Sequence, residues 1–433
     1  MAFGSGANSA HKKDEPFERS QKLAKFPCRS CGSLSLLPFV DLGPSPLANS
    51  YLTPAMLHQV ECFYRLCVYL CRRCFLVQLD SVVPPENIFL DYRYFSSYSD
   101  SWLAHARAYA DLAMEEFRLS QSSRVIEIGS NDGYLLQYFL EKGVGVLGID
   151  PAANIARVAT ANGIPTVSRF FGEDLARKLI AAGSGADLLI ANNVLAHVPD
   201  LNGFVRGLKI LLQPQGTLTL EFPYLARLME ENQFDTIYHE HLSYFSFTAV
   251  NRVLKRHGLA VFDVEELPTH GGSLRVYAGH WEDRSKPMRL RVKTMLAAEK
   301  NLGLHTVTPY LAFAERVKGV KRKLLKWLIR TKEEGKSVVA YGAPAKGNTL
   351  LNYCGIRTDF IDYAVDRSPH KQGLFLPGTR IPIYPPERIA QTRPDCVLIL
   401  PWNLKSEITR QLPYIRQWSG KFLVPIPQVR CLE

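Results

Sequence analysis

Two histidines flank a glutamate in the segment DTIYHEHLSYFS, residues 235–246, and these side-chain types can bind a metal or perform acid–base catalysis. The H-E-H spacing differs from H-E-x-x-H and excludes the helical ligand pair of a zinc protease. On a strand His239 and His241 would share one face, but no third metal ligand stands close in the sequence. The alternative is an ordinary polar turn that neither binds a metal nor takes part in catalysis. Acid–base chemistry is favoured because GTLTLEFPYL, a predicted strand, precedes the segment, and sites of open α/β sheets form at the carboxyl ends of strands.

A second chemical signal is the run RVIEIGSNDGYLLQYF, in which a predicted strand leads through a glycine turn into a helix. Glu127, Gly129 and Gly133 form an E-x-G-x-x-x-G pattern, whose glycines let a ligand approach the backbone. The pattern is not G-x-G-x-x-G and indicates S-adenosylmethionine, which has no pyrophosphate. The next strand ends in VLGIDP and places Asp150 where a carboxylate accepts ribose hydroxyls. Further predicted cofactor contacts are Asn131 and Asp132 in the turn and Asn192 in ADLLIANNVLAHVPD.

A bound methyl donor makes the nature of the acceptor the next question. Oxygen or nitrogen acceptors need mainly positioning, since the sulfonium is already electrophilic. A carbon beside a ketone must first lose a proton, which requires a base and donors for the enolate oxygen. Histidine, with a reference pKa of about 6.5, suits the base, and a tyrosine hydroxyl or a second imidazole suits the enolate.

The cysteines form a separate pattern. Cys28 and Cys31 make one C-x2-C knuckle and Cys71 and Cys74 make a second. Paired knuckles without a secretory signal predict a tetrahedral zinc site, although Cys62 and Cys67 are alternative ligands and two unrelated thiol pairs are the bland reading. No acid or base stands within the knuckles, so a structural zinc is expected.

Composition limits the class of protein. The chain has 433 residues, 46% hydrophobic and 21% charged, as in a globular protein of several domains. We expect a cytoplasmic protein, since no membrane-length apolar run or signal peptide is found, and residues 1–25 read as a disordered tail. Much of the net charge of +11 lies in residues 315–336, an amphipathic helix whose basic face is either simply solvated or binds an anion.

The order of elements predicts the fold. Pro-rich turns surround the cysteines, and from residue 101 β-rich runs alternate with helical stretches, which favours a parallel, doubly wound sheet. The predicted strands of this part are RVIEIG, VGVLGID, ADLLIANN and GTLTLEF. A second α/β unit contains SVVAYG, FIDYAVD, DCVLILPW and FLVPIP. The predicted divisions are a tail, 1–25; a zinc module, 26–100; a cofactor-binding domain, 101–283; a helical connector, 284–335; and a C-terminal Rossmann-like domain, 336–433.

Motifs in all three domains together resemble the three-domain sugar C-methyltransferases, from about Cys28 to the C-terminus. The motifs are the paired knuckles, EIGSNDG, NNVLAHVPD, YHEHLSYFS, HGGSLRVY and SVVAYGAPAKGNTLLNYCGI. The resemblance implies an α/β chain with a class I methyltransferase domain between a zinc module and a Rossmann-like domain. It also implies methylation of a nucleotide-linked 4-keto-deoxysugar, with S-adenosylmethionine as cofactor and structural zinc.

The same resemblance assigns catalytic roles. His241 becomes the base that removes the proton alpha to the ketone. Glu240 would orient the imidazole of His241 or bind a substituent of the sugar. Tyr238 belongs to the same motif, while His197 and Tyr92 would hydrogen-bond the enolate; the near neighbour Tyr94 competes with Tyr92. The bland alternatives are that His197 caps the helix after Pro199 and that Tyr92 is a core aromatic.

The turn YGAPAKGNTLLNY of the C-terminal domain is a candidate substrate contact. Backbone N–H groups at a helix start, with Gly342 and Lys346, would suit a pyrophosphate, although a strand–helix turn that needs small residues explains the sequence equally well. We expect a small nucleotide-sugar substrate, no nucleic acid, no membrane, and a monomer or weak homo-oligomer. A zinc-knuckle methyltransferase acting on RNA or protein is the rival, to which Arg72 and Arg73 lend some support.

Overall fold

The computed structural model describes residues 26–80, 83, 96–98 and 100–432. The predicted tail, 1–25, and the candidates Tyr92 and Tyr94 lie outside the described residues. Within the described part of the chain no helix combines the length and apolarity needed to cross a membrane.

Strands and helices alternate along most of the chain. The strands are β1 Leu36–Ser45, β2 Tyr64–Cys71, β3 Val77–Leu79, β4 Arg124–Ile128, β5 Gly145–Ile149, β6 Thr166–Val167, β7 Ala186–Asn192, β8 Leu212–Pro223, β9 Ser243–Tyr244, β10 Leu259–Leu267, β11 Ser273–His280, β12 Val338–Tyr341, β13 Ala364–Val365, β14 Ile383–Tyr384, β15 Cys396–Ile399, β16 Lys421–Val424 and β17 Arg430–Leu432. The helices are α1 Asp100–Glu116, α2 Leu136–Leu140, α3 Ala153–Ala161, α4 Glu173–Ala181, α5 Leu201–Leu211, α6 Leu225–Glu230, α7 Phe247–Arg256, α8 Leu290–Asn301, α9 Thr308–Glu333, α10 Ala345–Cys354, α11 Arg388–Thr392 and α12 Lys405–Gln411.

The N-terminal sheet is antiparallel and has the order β1-β2-β3-β9. Its fourth strand comes from the histidine motif, where Ser243 pairs with Gln78 and Tyr244 pairs with Val77. A two-residue strand has no periodicity of its own, so this pairing is absent from the sequence prediction. The pairing joins the cysteine module to the segment that carries the candidate base.

The central sheet has the order β10-β11-β8-β7-β4-β5-β6, and only β11 runs antiparallel. Strands β4 and β7 are buried along most of their length, because helices cover both faces of the sheet. This confirms the predicted doubly wound sheet, whose four predicted strands are β4, β5, β7 and β8. The pair β10 and β11 is not among the predicted strands. The carboxyl ends of β4, β7 and β8 lie side by side, where a ligand site is expected.

Helix α9 contains the basic run at its C-terminal end. Val317, Val320, Leu324 and Leu328 are buried, which confirms the amphipathic spacing. Phe313 of this helix stacks on Phe39 of β1 with ring centroids 4.8 Å apart, so the connector packs on the N-terminal sheet.

The C-terminal sheet has the order β14-β13-β12-β15-β16-β17, and only β17 runs antiparallel. Its predicted strands are β12, β13, β15 and β16, which confirms the second α/β unit. Helix α10 begins at Ala345, directly after the glycine turn that follows β12. Main-chain hydrogen bonds in both directions between Leu52 and Phe375 attach this unit to the N-terminal one.

Candidate active site and zinc site

The histidine motif lies between the central and N-terminal sheets. Strand β8 ends at Pro223, helix α6 follows, and the main chain then turns through residues 234–236 to the histidines. Strand β9 attaches the far end of the motif to β3. The prediction that the motif follows the strand in GTLTLEFPYL is correct, since this strand is β8, and α6 is inserted between strand and motif.

His241 is oriented by two hydrogen bonds. Its Nδ1 lies 2.9 Å from the carbonyl oxygen of Thr236, which can only accept, so Nδ1 carries the proton. Nε2 is then the acceptor nitrogen and lies 3.0 Å from the hydroxyl of Tyr238. Burial, together with the neighbouring His197, holds the pKa of His241 well below its usual value of 6.5. The imidazole is therefore neutral at pH 7, with its lone pair on Nε2.

His197 packs edge-on against His241, with ring centroids 4.8 Å apart. Burial lowers the pKa of His197 to about 4, so this ring is also neutral at pH 7. The alternative that His197 caps the following helix is wrong, because the cap of α5 is Asp200, which accepts a 2.9 Å hydrogen bond from the Gly203 N–H. Two neutral imidazoles thus meet at the candidate site.

Glu240 is buried beside these histidines, with 5% of its surface exposed. Its Oε1 accepts a 2.6 Å hydrogen bond from Nδ2 of Asn49, which lies in the loop after β1. Burial raises the pKa of Glu240 to about 7, so it is poised near neutrality. Asn49 has no neighbouring motif and is not among the predicted site residues.

His239 points away from the candidate site. Its Nε2–H donates a 3.3 Å hydrogen bond to the carbonyl oxygen of Arg65 in β2, and its ring meets the Tyr64 ring edge-on at 5.8 Å. His239 therefore ties the motif to the cysteine module and has a structural contact where the sequence indicates no role.

The predicted cofactor turn has the backbone that its glycines suggest. Gly129 and Gly133 have φ values of +69° and +83°. A Cβ at Gly129 would lie 2.4 Å from Cγ2 of Val194, so a larger residue would both strain the backbone and clash. Glu127, at the end of β4, is fully buried, and burial raises its pKa well above the usual value. Such a carboxyl is suited to a cationic ligand group, such as an α-amino group.

Asp150 follows β5 and braces this turn. Its Oδ2 accepts a 3.0 Å hydrogen bond from the Asn131 N–H, and Oδ1 accepts one of 2.9 Å from the Ala152 N–H. Burial raises the pKa of Asp150. Asn192 stands buried at the end of β7, in the adjacent strand position expected for a cofactor contact.

The side chains of Asn131 and Asp132 have partners within the chain. Asn131 Oδ1 accepts a 2.9 Å hydrogen bond from the Ser96 N–H, and Asp132 Oδ2 accepts one of 2.5 Å from the Ser97 hydroxyl. Both therefore hold the residues just before α1 against the cofactor turn. This covering role cannot be read from the turn motif alone.

An aromatic group that the sequence analysis does not predict stands beside the turn. Trp102 of α1 lies 5.9 Å from the Tyr134 ring, 5.1 Å from the His105 ring and 5.0 Å from the His270 ring, measured between centroids. His270 belongs to the motif HGGSLRVY and has a φ of +56°. The group brings flat apolar surfaces to the end of the sheet where the cofactor is expected.

A buried ion pair supports this group. Arg275 of β11 donates a 2.7 Å hydrogen bond to Oε2 of Glu221 in β8, and His105 Nε2 lies 3.0 Å from the same oxygen. Burial alone would raise the pKa of Glu221, but the hydrogen bond with His105 and the charge of Arg275 lower it to about 2. The Thr269 hydroxyl also donates to Glu221 across 3.0 Å. The carboxylate is therefore charged and fully paired.

Lys346 faces the histidine motif from the start of α10. Its Nζ donates a 2.9 Å hydrogen bond to Oδ1 of Asn403 and lies 4.6 Å from the centroid of the Trp402 ring. Burial lowers the pKa of Lys346, and the charge of Asp235 opposes the shift. Gly342 has a φ of +84°, and a Cβ there would lie 2.6 Å from Cδ of Pro401. The turn therefore requires glycine at position 342, whether or not it also binds a phosphate group.

Four cysteines come together as the knuckle spacing predicts. The Sγ atoms of Cys28 and Cys74 are 3.5 Å apart, as are those of Cys31 and Cys71, and all four lie within 4.8 Å of one another. Tetrahedral zinc with Zn–S bonds of about 2.3 Å needs sulfur atoms about 3.8 Å apart, so the group fits this metal. The zinc site therefore uses the two knuckles.

The alternative ligands stand outside this group. Cys62 is exposed, and Cys67 is buried within β2. The first knuckle also contacts the histidine motif, since Arg29 donates to the carbonyl oxygen of Leu242 at 3.1 Å, as well as to that of Leu79 in β3 at 2.7 Å. The metal site thus supports the main chain next to the candidate base.

Comparison with known proteins gives three family matches. Residues 28–89 match a zinc binding domain, residues 102–264 a methyltransferase domain, and residues 268–427 the C-methyltransferase C-terminal domain. The central sheet, its glycine turn and these matches define an S-adenosylmethionine-dependent methyltransferase with a zinc-binding module.

A full-length relative narrows the class further. The chain is 38% identical to C-methyltransferase NovU from Streptomyces niveus over 409 residues, which is 94% of this chain and 96% of the relative. The chain belongs to the C-methyltransferase family. A shorter match, 33% identical over 96 residues, covers 21% of this chain and 37% of a ubiquinone biosynthesis O-methyltransferase from Methylobacterium sp. (strain 4-46).

Solved structures match only part of the chain. The PH0226 protein from Pyrococcus horikoshii OT3 is 15% identical, with a TM-score of 0.36, over 46% of this chain and 100% of its own. Magnesium protoporphyrin IX methyltransferase from Synechocystis PCC 6803 with bound SAH is 16% identical, with a TM-score of 0.33, over 45% of this chain and 90% of its own.

Proposed function

We propose that the enzyme transfers a methyl group from S-adenosylmethionine to the carbon alpha to the ketone of a nucleotide-linked 4-keto-deoxysugar, with His241 as the base. The observation that carries the proposal is the orientation of His241, whose Nδ1–H is held by the Thr236 carbonyl so that Nε2 is an acceptor. A neutral imidazole with a fixed tautomer is what proton abstraction from carbon requires.

In the proposed reaction Nε2 of His241 takes the alpha proton and the C–H electron pair forms the enolate. Neutral His197, which packs against the His241 ring, and Tyr92 are the proposed donors to the enolate oxygen. The Tyr238 hydroxyl donates to Nε2, must turn away before Nε2 takes the alpha proton, and is then the proposed contact to the substrate. S-adenosylmethionine, held by the residues proposed below, would supply the methyl group to the enolate carbon; its methyl–sulfur bond would break and the electron pair would remain on the sulfur of S-adenosylhomocysteine. The proton on His241 is then released to solvent.

The neighbouring residues are assigned to binding. Glu240, near its pKa at neutral pH, would hydrogen-bond a sugar substituent or steady the base through its contact with Asn49. Lys346 faces the motif from the C-terminal unit and is the proposed contact for a phosphate group, with the turn at Gly342 beside it.

The cofactor is proposed to lie across the carboxyl ends of β4 and β5. Glu127 and Asp150 are its proposed partners, because their buried carboxyls are aimed at the same turn and suit an amino group and ribose hydroxyls. The turn residues Gly129 to Gly133, with Asn131 and Asp132, and Asn192 at the end of β7 complete the proposed site. We also propose that the enzyme acts in the cytoplasm on a small molecule, as a monomer or weak homo-oligomer.

The test is hydrogen exchange at the acceptor carbon. The enzyme is incubated with a 4-keto sugar nucleotide in heavy water, and deuterium at the alpha carbon is followed by NMR. His241→Asn is expected to slow exchange at least about 100-fold. His239→Gln, which can still donate to the Arg65 carbonyl, is the matched control and should exchange normally.

Two results would overturn the proposal. Undiminished exchange in folded His241→Asn would remove His241 as the base. A panel of 4-keto sugar nucleotides that gives no methylated product, with RNA alone raising the melting temperature, would instead favour the rival methyltransferase acting on RNA.

A further inference from the structure

We propose that the C-terminal unit positions the catalytic base, through hydrogen bonds from Trp402 and Thr349 to the main-chain turn that orients His241. The inference rests on the proposed role of His241. Trp402 and Thr349 are positioning residues, because they bind the turn at residues 235–237 and, within the part of the chain that the structure describes, make no hydrogen bond to the His241 ring.

Trp402 contacts the residue just before the orienting carbonyl. Its indole Nε1–H donates a 2.7 Å hydrogen bond to Oδ2 of Asp235, and both side chains are buried. Asp235 is 0% exposed, so this carboxyl has little solvent to replace a lost donor, and burial raises its pKa to about 6. The indole is therefore a main determinant of where Asp235 lies.

Thr349 contacts the residue just after the orienting carbonyl. Its hydroxyl, on buried helix α10, donates a 3.0 Å hydrogen bond to the carbonyl oxygen of Ile237. Thr236 itself is held within the turn, because its hydroxyl donates to the Gln233 carbonyl across 2.7 Å. The Thr236 carbonyl that receives Nδ1–H of His241 thus lies between two contacts with the C-terminal unit.

The position of this carbonyl matters for more than packing. It selects the His241 tautomer with a lone pair on Nε2 and sets the direction of that lone pair. A displacement of about 1 Å in a reacting group can reduce a rate about 100-fold. Loss of the two contacts should therefore reduce proton abstraction while leaving cofactor binding on the central sheet intact.

The experiment uses the full chain with Thr349→Val and Trp402→Phe, each of which removes a donor and keeps much of the side-chain volume. Trp418→Phe is the matched control, because its indole donates a 2.9 Å hydrogen bond to the Pro394 carbonyl within the same unit, away from the motif. Thr349→Ser, which restores the hydroxyl, tests rescue. The readouts are the 15N shifts of the His241 ring, the alpha-deuterium exchange rate at saturating substrate, its KM, and S-adenosylmethionine affinity.

We expect exchange to fall about 10- to 100-fold in both variants. Cofactor affinity should stay within about twofold in both variants, and KM should do so in Thr349→Val, because only the Trp402 ring also contacts Lys346. The His241 spectrum should shift towards a mixture of tautomers. Thr349→Ser and Trp418→Phe should behave as wild type. A wild-type tautomer and exchange rate in folded Thr349→Val and Trp402→Phe would overturn the proposal, as would a rate loss matched by equal losses in cofactor affinity and melting temperature.

The proposed function and this inference fail in different ways. If His241→Asn exchanges normally, His241 is not the base, and the nitrogen spectra still report whether Trp402 and Thr349 set its tautomer. If His241→Asn is inactive and both variants of the C-terminal unit keep the wild-type tautomer and rate, only the positioning role is wrong.

Discussion

Asn49 donates a 2.6 Å hydrogen bond to the carboxyl group of Glu240, so a loop of the N-terminal unit reaches the residue next to the candidate base, while Trp402 of the C-terminal unit reaches Asp235 in the same motif. The three units therefore meet at one short motif. The central sheet supplies the cofactor turn, while each neighbour supplies a polar contact to the residues around His241.

Glu240→Gln should stabilise the ligand-free protein at alkaline pH. Burial raises the pKa of Glu240 from 4.5 to about 7, so the folded protein keeps a proton that the unfolded chain releases between these values. The favourable contribution of this proton is present below pH 4.5 and is lost as the pH rises through 7. Glutamine cannot ionise, and we expect Glu240→Gln to be more stable at pH 8 by on the order of 3 kcal/mol.

Urea unfolding at pH 5 and pH 8 measures this difference. The stability gain should shrink at pH 5, while methyl transfer by the variant falls at both pH values. Glu115→Gln, on an exposed position of α1, is the control and should change neither. A gain of equal size at both pH values would show that ionisation of Glu240 is not its cause.

Loss of zinc should damage the active site as well as the N-terminal sheet. The knuckles contact the main chain at Leu242, and β3 pairs with Ser243 and Tyr244 of the histidine motif. We expect Cys71→Ser to lose bound zinc, to unfold at least about 10 °C earlier and to lose most activity, since a structural metal supplies folding free energy.

Three measurements test this prediction: metal content by mass spectrometry, thermal unfolding and turnover. Cys62→Ser changes an exposed cysteine of the same module and should keep zinc, melting temperature and activity. Full activity in zinc-free Cys71→Ser would separate the metal from the site and contradict the prediction.

Asp150→Ala should weaken S-adenosylmethionine binding about 10- to 100-fold, since a carboxylate that accepts ribose hydroxyls contributes on the order of 1–3 kcal/mol. Asp187→Ala is the matched control, because Asp187 lies near the amino end of β7 and accepts a 2.7 Å hydrogen bond from the Arg124 N–H at the amino end of the adjacent β4. Isothermal titration of both variants with the cofactor gives the two affinities. Similar weakening in both would mean that general loosening of the sheet, rather than a ribose contact, is being measured.

Elements with a local pattern could be predicted from the sequence, and contacts between distant segments could not. Strands such as β4 and β7 are mainly apolar runs bounded by turns, with Glu127 the one charged residue in the interior of β4, so their burial in a parallel sheet follows from composition. Strand β9 has two residues and exists only because β3 lies alongside. The C-x2-C spacing, by contrast, specifies a turn that brings its own thiolates together.

The same distinction applies to the candidate site. His241, Glu240 and Tyr238 are neighbours in one motif, and their predicted roles stay predictions. Asn49 is a single polar residue in a loop and Trp402 is a single aromatic residue at the start of a short 3-10 helix, and both are far from the motif in sequence, with no spacing that points to it. Their contacts arise from domain packing, which local periodicity does not encode.

Arg275→Met should be among the most destabilising substitutions in the central sheet. Arg275 and Glu221 are both buried, with 4% and 0% of their side chains exposed, and their atoms approach to 2.7 Å. Removing the guanidinium leaves a charged carboxylate whose remaining side-chain partners among the described residues are His105 and Thr269, which costs about 3–5 kcal/mol for buried pairs of this kind. The pKa of Glu221, about 2 in the intact network, should rise in the variant.

Urea unfolding at pH 7 tests this, with Arg322→Met on the exposed face of α9 as control. Because the depressed pKa of Glu221 stabilises the fold above about pH 4.5 and this contribution is lost as the pH falls towards 2, the difference between Arg275→Met and wild type should narrow in acid. Glu221→Gln combined with Arg275→Met should recover part of the loss, since no buried charge is then left unpaired. A double variant that is less stable than Arg275→Met would show that the hydrogen-bond geometry of Glu221, and not its charge, dominates at this position.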